Sequence, residues 1–433
     1  MKREEGKLMS NEALIAIIIF FLTYGLIISE KIHRTIIAML GGGLMVVFGI
    51  VNQESAIHHI DFNTIGLLIG MMIIVSITAE TGVFKYVAIW SAKKVKGRPL
   101  SILIVLSIIT AVGSAFLDNV TTVLLMVPIT FSITRQLGIN PMPFLISEIL
   151  MSNIGGTATM IGDPPNIMIG SAVESITFMD FITNLAPIVL VIMVVTMILL
   201  VLFYRKGLHV SDKTRERIMQ LNEKDEIADK TLMIKSLIVM GLTIAGFFIH
   251  QMVHVESATV ALLGAFILLI LAGESHLESA LSKVEWTTIF FFVGLFVLVS
   301  GLVETGVIAK VATYTINLTG GNETSTSFLI LWLSAIASAF VDNIPFVATM
   351  IPLIEQMGSL GIHDLEPLWW SLALGACLGG NGTLIGASAN LIVAGMAGKE
   401  GHKISFIKYS LIGLPIMIIS VAISMVYIYF KYL

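Results

Sequence analysis

Residues 114–119 read Ser114-Ala115-Phe116-Leu117-Asp118-Asn119, and 224 positions later residues 338–343 read Ser338-Ala339-Phe340-Val341-Asp342-Asn343. Each copy lies near the middle of an apolar segment, 99–135 and 327–358, that is too long for one membrane crossing and is broken at the Asp-Asn pair. The pattern predicts a re-entrant hairpin that enters the bilayer, turns at a polar tip and leaves by the side it entered. A polar corner is tolerated at membrane depth only where protein encloses it or it meets a wet cavity, so both tips are functional candidates.

The same offset of 224 returns elsewhere. Glu80-Thr81-Gly82-Val83 becomes Glu304-Thr305-Gly306-Val307, Pro128 becomes Pro352, GGTATMIG (155–162) becomes GGNGTLIG (379–386), and Asn166 becomes Asn390. No gap is needed from Thr64 to Asn166. Chance likeness between apolar helices would match Leu and Ile. Matching Asp, Asn, Glu and Gly means an internal repeat.

Of the 433 residues, 56% are hydrophobic and 12% are Asp, Glu, Lys or Arg, about half the charged fraction of roughly 25% found in soluble domains. A soluble globule is excluded. Crossings of about 20 residues are predicted near 11–29, 35–52, 62–80, 143–166, 183–204, 232–252, 257–273, 286–304, 368–397 and 409–430. No cleavage pattern follows the first apolar run, which is therefore read as the first span.

The expected fold is an all-α polytopic membrane protein of two repeats, 1–204 and 232–433, joined by a polar cytoplasmic linker, 205–231, whose charges are simply solvated. Each repeat holds five crossings, one re-entrant hairpin (about 99–135 and 327–358) and one broken helix (about 143–166 and 368–397). Five is odd, so the second repeat is inverted, and counting each hairpin as two spans leaves the number odd. The hairpin tips then converge near the midplane, the arrangement from which secondary transporters obtain alternating access.

With both termini outside, 20 of the 25 Lys and Arg residues fall on the cytoplasmic side and five (Lys2, Arg3, Lys7, Lys310 and Lys431) remain outside, as the positive-inside rule requires. All 25 are placed at or near the surfaces, so no full positive charge is expected at the centre. The net charge of −4 and the lack of a long basic tract speak against nucleic-acid binding. The stretch 84–98 reads as an amphipathic connector on the cytoplasmic surface. The single cysteine, Cys377, cannot form an internal disulfide and is read as packing.

Glycines interrupt the fourth crossing of each repeat: Gly155, Gly156 and Gly162 in one, Gly379, Gly380, Gly382 and Gly386 in the other. Asp163-Pro164-Pro165 reads as a helix restart with Asp163 as N-cap, and Ser388 is the corresponding cap. A half-helix that begins inside the bilayer presents free N–H groups to an anion or polar solute, while unwound carbonyls and Asx side chains can hold Na⁺. Asp118, Asp163 and Asp342 lie at predicted membrane depth, where an ionisable group marks a pathway or coupling-ion site by default. Glu80 and Glu304 are read as helix ends, Glu148 is assigned no role, and the histidines are given no metal or proton role.

SAFLDNVTTVLLMVP, NIGGTATMIGDPPN, SAFVDNIPF and GACLGGNGTLIGASAN, in this order, resemble the pink-eyed dilution, arsenite permease and NhaD-type antiporter group of the ion transporter superfamily, from about residue 35 onward. The resemblance implies a citrate-transporter-like domain, usually a homodimer, that binds substrate and coupling ion in its tips and breaks and moves by an elevator-like step. Carried over residue by residue, it falls on Asp118, Asn119 and Thr121 in the first tip and on Asp342 and Asn343 in the second. In the breaks it falls on Thr157, Thr159, Asp163 and Asn166, and on Asn381, Thr383 and Asn390, with Na⁺ placed at Asp118, Asn119, Asp342 and Asn343. Sodium–dicarboxylate members usually show GTPPN and Ser-Asn-Thr tips. Here Gly162-Asp163-Pro164-Pro165-Asn166 and the Asp-Asn tips point away from dicarboxylates.

A carboxylate beside the pocket repels anions unless it is protonated or holds a cation. The expected function is therefore transport of an inorganic ion or oxyanion, arsenite-like, coupled to H⁺ or Na⁺. A Na⁺/H⁺ antiporter using Asp118, Asp163 and Asp342, and a passive ion channel, are the alternatives. No His-Glu-x-x-His run or nucleophile-and-base set occurs in the spans, and neither an enzyme nor an organic cofactor is expected.

Overall fold

A computed structural model describes residues 10–29, 31–208 and 210–433. Lys2, Arg3 and Lys7, counted above on the outer side, lie outside the described residues. Among the described residues the elements are all helices, which satisfy their own backbone hydrogen bonds in lipid. Nine of them are long and apolar enough to cross a membrane. A tenth span results if Ser257–Ala272 and the segment Glu274–Ser282, bent by 120° at the junction, count as one. The nine include Pro99–Leu117, Asn119–Leu137 and Glu323–Phe340, so three of the four hairpin limbs are themselves of spanning length.

Helix boundaries recur at the repeat offset. Phe62–Glu80 answers Trp286–Glu304, the short helix Val83–Lys94 answers Val307–Thr319, and helices beginning at Asn119 and Pro164 answer those beginning at Asn343 and Ser388. The second of these short helices, Val307–Thr319, has no counterpart among the sequence expectations. The first broken helix also runs further than expected: Met142–Gly156 is followed by an unwound stretch and then by Pro164–Ala172.

Packing across the halves is reciprocal. Phe62–Glu80 lies on Ser257–Ala272, with Gly70 against Ala261, while Trp286–Glu304 lies on Arg34–Val47, with Gly294 against Ala38. Glycine lets the backbones approach until van der Waals contact is made along their length, the usual glue between membrane helices. Exchanging the halves leaves the pairing unchanged.

At residue 118 the chain reverses. Gly113 faces the side chain of Thr122, whereas nine residues of continuous helix would separate them by about 13 Å. The base of this first hairpin packs on the linker, where Leu137, Leu208 and Ile218 share one apolar cluster. The second hairpin, Glu323–Phe340 and Asn343–Ser359, has its base at a recess of about 770 Å³ shared by Asp364, Glu366, Glu174 and Asp180. That recess adjoins the start of Phe178–Tyr204, whose other end enters the linker. The two hairpin bases therefore lie toward opposite ends of Phe178–Tyr204.

The linker is docked, which corrects the expectation that its charges are only solvated. Lys93 Nζ donates to Leu221 O at 2.7 Å and to Glu223 Oε2 at 2.5 Å, and Ala228 N donates to Thr81 O at 3.0 Å. Its hydrogen bond to the Lys93 ammonium holds Glu223 below the usual carboxylate range.

Arg34–Val47 is only 14 residues long, about 21 Å against a hydrocarbon core of about 30 Å. Such a helix is shorter than a full crossing, and its amino terminus starts within reach of the second hairpin tip, where Arg34 meets Asp342. Thr35 Oγ1 fixes that end, donating to Thr287 O at 2.7 Å.

Candidate functional site

Four helix starts, at Asn119, Pro164, Asn343 and Ser388, meet around a cavity of about 20 Å³, room for one water-sized species. Asp118, Asp163, Glu285 and Arg34 supply its charged lining. The amino-terminal ends of helices carry partial positive charge, which offsets part of the carboxylate charge gathered here.

The first tip is built by Asp118. Its Oδ1 accepts from Thr121 N at 2.8 Å and its Oδ2 from Thr121 Oγ1 at 2.6 Å, capping Asn119–Leu137. The backbone at Asp118 has φ 70° and ψ 158°, a region that only glycine occupies easily. Thr121 thus serves the cap, while Asn119 and Asn343 line the cavity directly.

Asp163 stands at the cap position of Pro164–Ala172 but caps no backbone N–H, which corrects the N-cap reading. Its carboxylate instead faces the second tip, where Oδ1 accepts from Asn343 Nδ2 at 3.1 Å, and it is fully buried. Among the described residues Asp163 Oδ2 accepts no N–H or O–H, and only the weakly donating Cys377 thiol adjoins the carboxylate there. A buried carboxylate oxygen so weakly partnered is expensive to maintain, so the geometry leaves room for a proton or metal cation at this atom.

At the second tip, Asp342 Oδ1 accepts from Ile344 N at 3.2 Å. Its Oδ2 accepts from Arg34 Nη1 at 2.5 Å and from Ser388 Oγ at 2.6 Å, and Arg34 Nη1 also reaches Ser388 Oγ at 2.7 Å. The Arg34 guanidinium lies 4.9 Å from the ring centre of Phe291, a cation–π contact. Two expectations fail here. A full positive charge does reach the site, because the Arg34 side chain turns inward from the start of its helix onto Asp342 and Ser388. Ser388 is the first helical residue rather than the cap, a position taken by Ala387.

Because Asp342 is engaged by Arg34, the expected Na⁺ set of Asp118, Asn119, Asp342 and Asn343 does not close around one cavity in this conformation. Asp163 and Glu285 stand beside Asp118 instead. Among the described residues no three His, Cys, Asp or Glu side chains converge as a metal cluster. A cation at this point would therefore rely on amide and carbonyl oxygens as well as carboxylates.

The remaining predicted residues brace the breaks. Asn166 Nδ2 donates to Thr157 O at 3.2 Å and Thr159 O at 2.9 Å, and Asn390 Nδ2 donates to Gly380 O at 2.7 Å and Thr383 O at 2.9 Å. Thr159 and Thr383 donate to the carbonyls of Ala115 and Ala339, and Thr157 Oγ1 donates to Asn153 O at 2.8 Å. Asn381 Nδ2 donates to Leu150 O at 3.2 Å. None of these six lines the cavity.

Arg34, Glu285 and Asn153 join the site although the sequence motifs do not single them out. Asn153 Nδ2 donates to Asn381 Oδ1 at 2.9 Å and Asn390 Oδ1 at 3.0 Å, while its Oδ1 accepts from Asn119 Nδ2 at 3.2 Å. Glu285 Oε2 accepts from Thr288 Oγ1 at 3.0 Å. Its counterpart in the first half is Asp61, which accepts from Thr64 N at 3.0 Å. Extending the repeat three residues upstream of Thr64 pairs those two acids and would have found Glu285. Glu148, fully buried against Thr130, lies on Met142–Gly156 and does not line the cavity.

The chain matches the citrate transporter family over residues 24–375. It is 43% identical over 429 residues to the 46 kDa membrane protein of Mycobacterium leprae (strain TN), covering 97% of this chain and 99% of that one. It is 35% identical over 506 residues to the P protein of Homo sapiens, covering 97% of this chain and 60% of that protein. Among solved structures, the YdaH transporter of Alcanivorax borkumensis aligns with a TM-score of 0.60 at 12% identity, covering 97% of this chain and 98% of that one. That last likeness concerns the fold.

Proposed function

Since the chain belongs to the citrate transporter family, and is thus a multi-pass membrane transporter, we propose that it is a secondary active transporter that couples H⁺ or Na⁺ to the movement of a small inorganic ion or oxyanion. The two halves act as inverted repeats, with both termini outside, and the unit formed by hairpins and broken helices moves in an elevator-like step. The single observation that carries this is the meeting of both hairpin tips and both half-helix starts at one small cavity lined by Asp118, Asp163 and Glu285. Carboxylates buried at membrane depth take up cations or protons, and the Arg34 guanidinium with four helix starts gives an anion its partners.

The charge balance favours a second reading. Asp118, Asp163, Asp342 and Glu285 face one guanidinium, and a site so acidic suits Na⁺/H⁺ exchange without any other solute. The recess on the face opposite the linker, with Glu174, Asp180, Glu355, Asp364 and Glu366, would gather cations for either process.

Purified protein in proteoliposomes separates these readings. Arsenite, phosphate, sulfate and citrate are offered in turn, with an imposed Na⁺ or pH gradient, and uptake and internal pH are followed together. The first reading expects uptake of one solute that collapses when both cation gradients are removed. Na⁺-driven alkalinisation or acidification with no added solute supports antiport, and discrete conductance steps under voltage would reject both in favour of a channel.

A further inference from the structure

Asp342 is held by a charge from outside its own segments. Arg34 begins a helix that packs on Trp286–Glu304, whereas Asp342 and Ser388 belong to the second hairpin and the second break. Under an elevator-like step these two groups of helices move relative to each other, so the Arg34–Asp342 pair cannot persist through the cycle. Breaking it outright would leave a carboxylate, itself 7% exposed, without a counter-charge, and an uncompensated buried charge strongly disfavours the state that contains it.

Three details indicate what replaces the guanidinium. Only Oδ2 of Asp342 is engaged by Arg34 and Ser388, while Oδ1 has one longer contact, to Ile344 N at 3.2 Å, so the carboxylate keeps room for another cation. A cavity of about 270 Å³, lined by His33, Arg34, Asp342 and Ser388 among apolar residues, opens beside the pair and leaves a small ion room next to Asp342. The device exists at one tip alone: the first-half tip residue Asp118 is satisfied by Thr121, among the described residues no Lys or Arg pairs with it, and Ala258 occupies the position equivalent to Arg34.

Resting on the cation-coupled reading above, we propose that the Arg34 guanidinium is a tethered stand-in for the coupling cation, seated on Asp342 and Ser388 until Na⁺ or H⁺ replaces it. Exchange of one positive charge for another keeps Asp342 neutralised throughout. The second tip can then leave the Arg34 helix only in the cation-loaded form, which ties movement to loading and suppresses empty slippage. Around Asp342 the groups that bear on the exchange are Arg34 and His33 before and at the start of the short helix, Glu285 at the start of Trp286–Glu304, Asp163 at the first break, Asp118 at the first tip, and Ser388.

The test uses the full chain, purified in detergent, with melting temperature read against Na⁺ at pH 8 and, separately, against pH in choline buffer. A tethered competitor lowers the apparent affinity of its rival. Arg34→Gln should therefore reach half-maximal stabilisation at a Na⁺ or proton concentration at least ten-fold below wild type. Arg34→Lys, which keeps a tethered charge, should stay within three-fold, and adding Asp342→Asn to Arg34→Gln should erase the gain. If Arg34→Gln does not yield monodisperse protein, Ser388→Ala, which removes one group holding the guanidinium, should give a two- to five-fold gain. Unchanged or weaker cation affinity on removing Arg34 or Ser388 overturns the proposal, as does loss of solute affinity in Arg34→Gln with cation affinity unaltered, which would make Arg34 an anion ligand. If neither cation affects wild-type protein, the cation-coupled reading itself is what fails.

Discussion

Cys377 is the counterpart of Asn153, 224 residues on, and each reaches into the other half of the molecule: Asn153 Nδ2 donates to Asn390 Oδ1 at 3.0 Å, and Cys377 Sγ lies 3.5 Å from Asn166 Oδ1. Asn166 and Asn390 are themselves counterparts, so the two contacts are one contact made twice by a two-fold relation. The copies differ in strength. An amide donates well and also accepts from Asn119, whereas a thiol is a weak donor.

Asn153 is therefore the more sensitive of the pair. Asn153→Leu leaves the side-chain amides of Asn119, Asn381 and Asn390 short of a partner in the protein interior, each unmade bond costing about 1–3 kcal/mol. Thermal unfolding in detergent should show a fall of many degrees, or no folded protein. Cys377→Ser, which keeps a small donor, should unfold within a few degrees of wild type. A maleimide should leave the wild-type thiol unmodified until denaturant is added, since Cys377 is fully buried.

Asp163→Asn keeps the oxygen that accepts from Asn343 and removes the titratable charge. Folding and insertion should be intact, with a melting temperature at or above that of wild type, because a buried carboxylate with one weakly partnered oxygen has been neutralised. Cation-dependent flux in proteoliposomes should vanish. Retention of wild-type coupling would remove Asp163 as the carrier.

Asp118 occupies a backbone region whose occupation by a non-glycine residue costs on the order of 1–3 kcal/mol, and replacing an N-cap by glycine loses only a few tenths of a kcal/mol. Asp118→Gly should thus melt no lower than wild type while transport is lost. A variant that is both stable and inactive would show that the strain serves the site. A large drop in melting temperature would show that the carboxylate is needed to hold the turn.

Gly155 packs so closely that a methyl group there would run into the backbone of Ala111, and its counterpart Gly379 meets Ala335 in the same way. Overpacking of this kind typically costs about 1–3 kcal/mol, and the backbone has little scope to yield. Gly155→Ala should lower the melting temperature markedly. Gly43→Ala, where nothing lies within 4 Å, should leave it unchanged.

The hairpins and breaks were legible because polar residues and glycine interrupt apolar runs, and because the offset of 224 repeats those interruptions. Arg34 was hidden because a sequence does not show which basic residue at a span end turns inward to a carboxylate. The apolar run continues through Val51, and the stop at Val47 is marked only by Gly49, whose φ of +71° closes the helix and which is easily passed over among the glycines of this segment. Asn153 lies in an otherwise apolar stretch and its counterpart is Cys377, so the repeat gives it no emphasis. The aspartates were found, but a string of letters cannot say that Asp163 turns away from its own helix toward Asn343.

The tips at Asp118 and Asp342 have the same letters and different fastenings: a sprung backbone in one, a borrowed charge in the other. Two identical subunits facing each other could not differ in this way, because every change would appear at both corners at once. Carrying both corners in a single polypeptide frees them to diverge, one fastened through backbone torsion and the other through a charge lent by a separate helix.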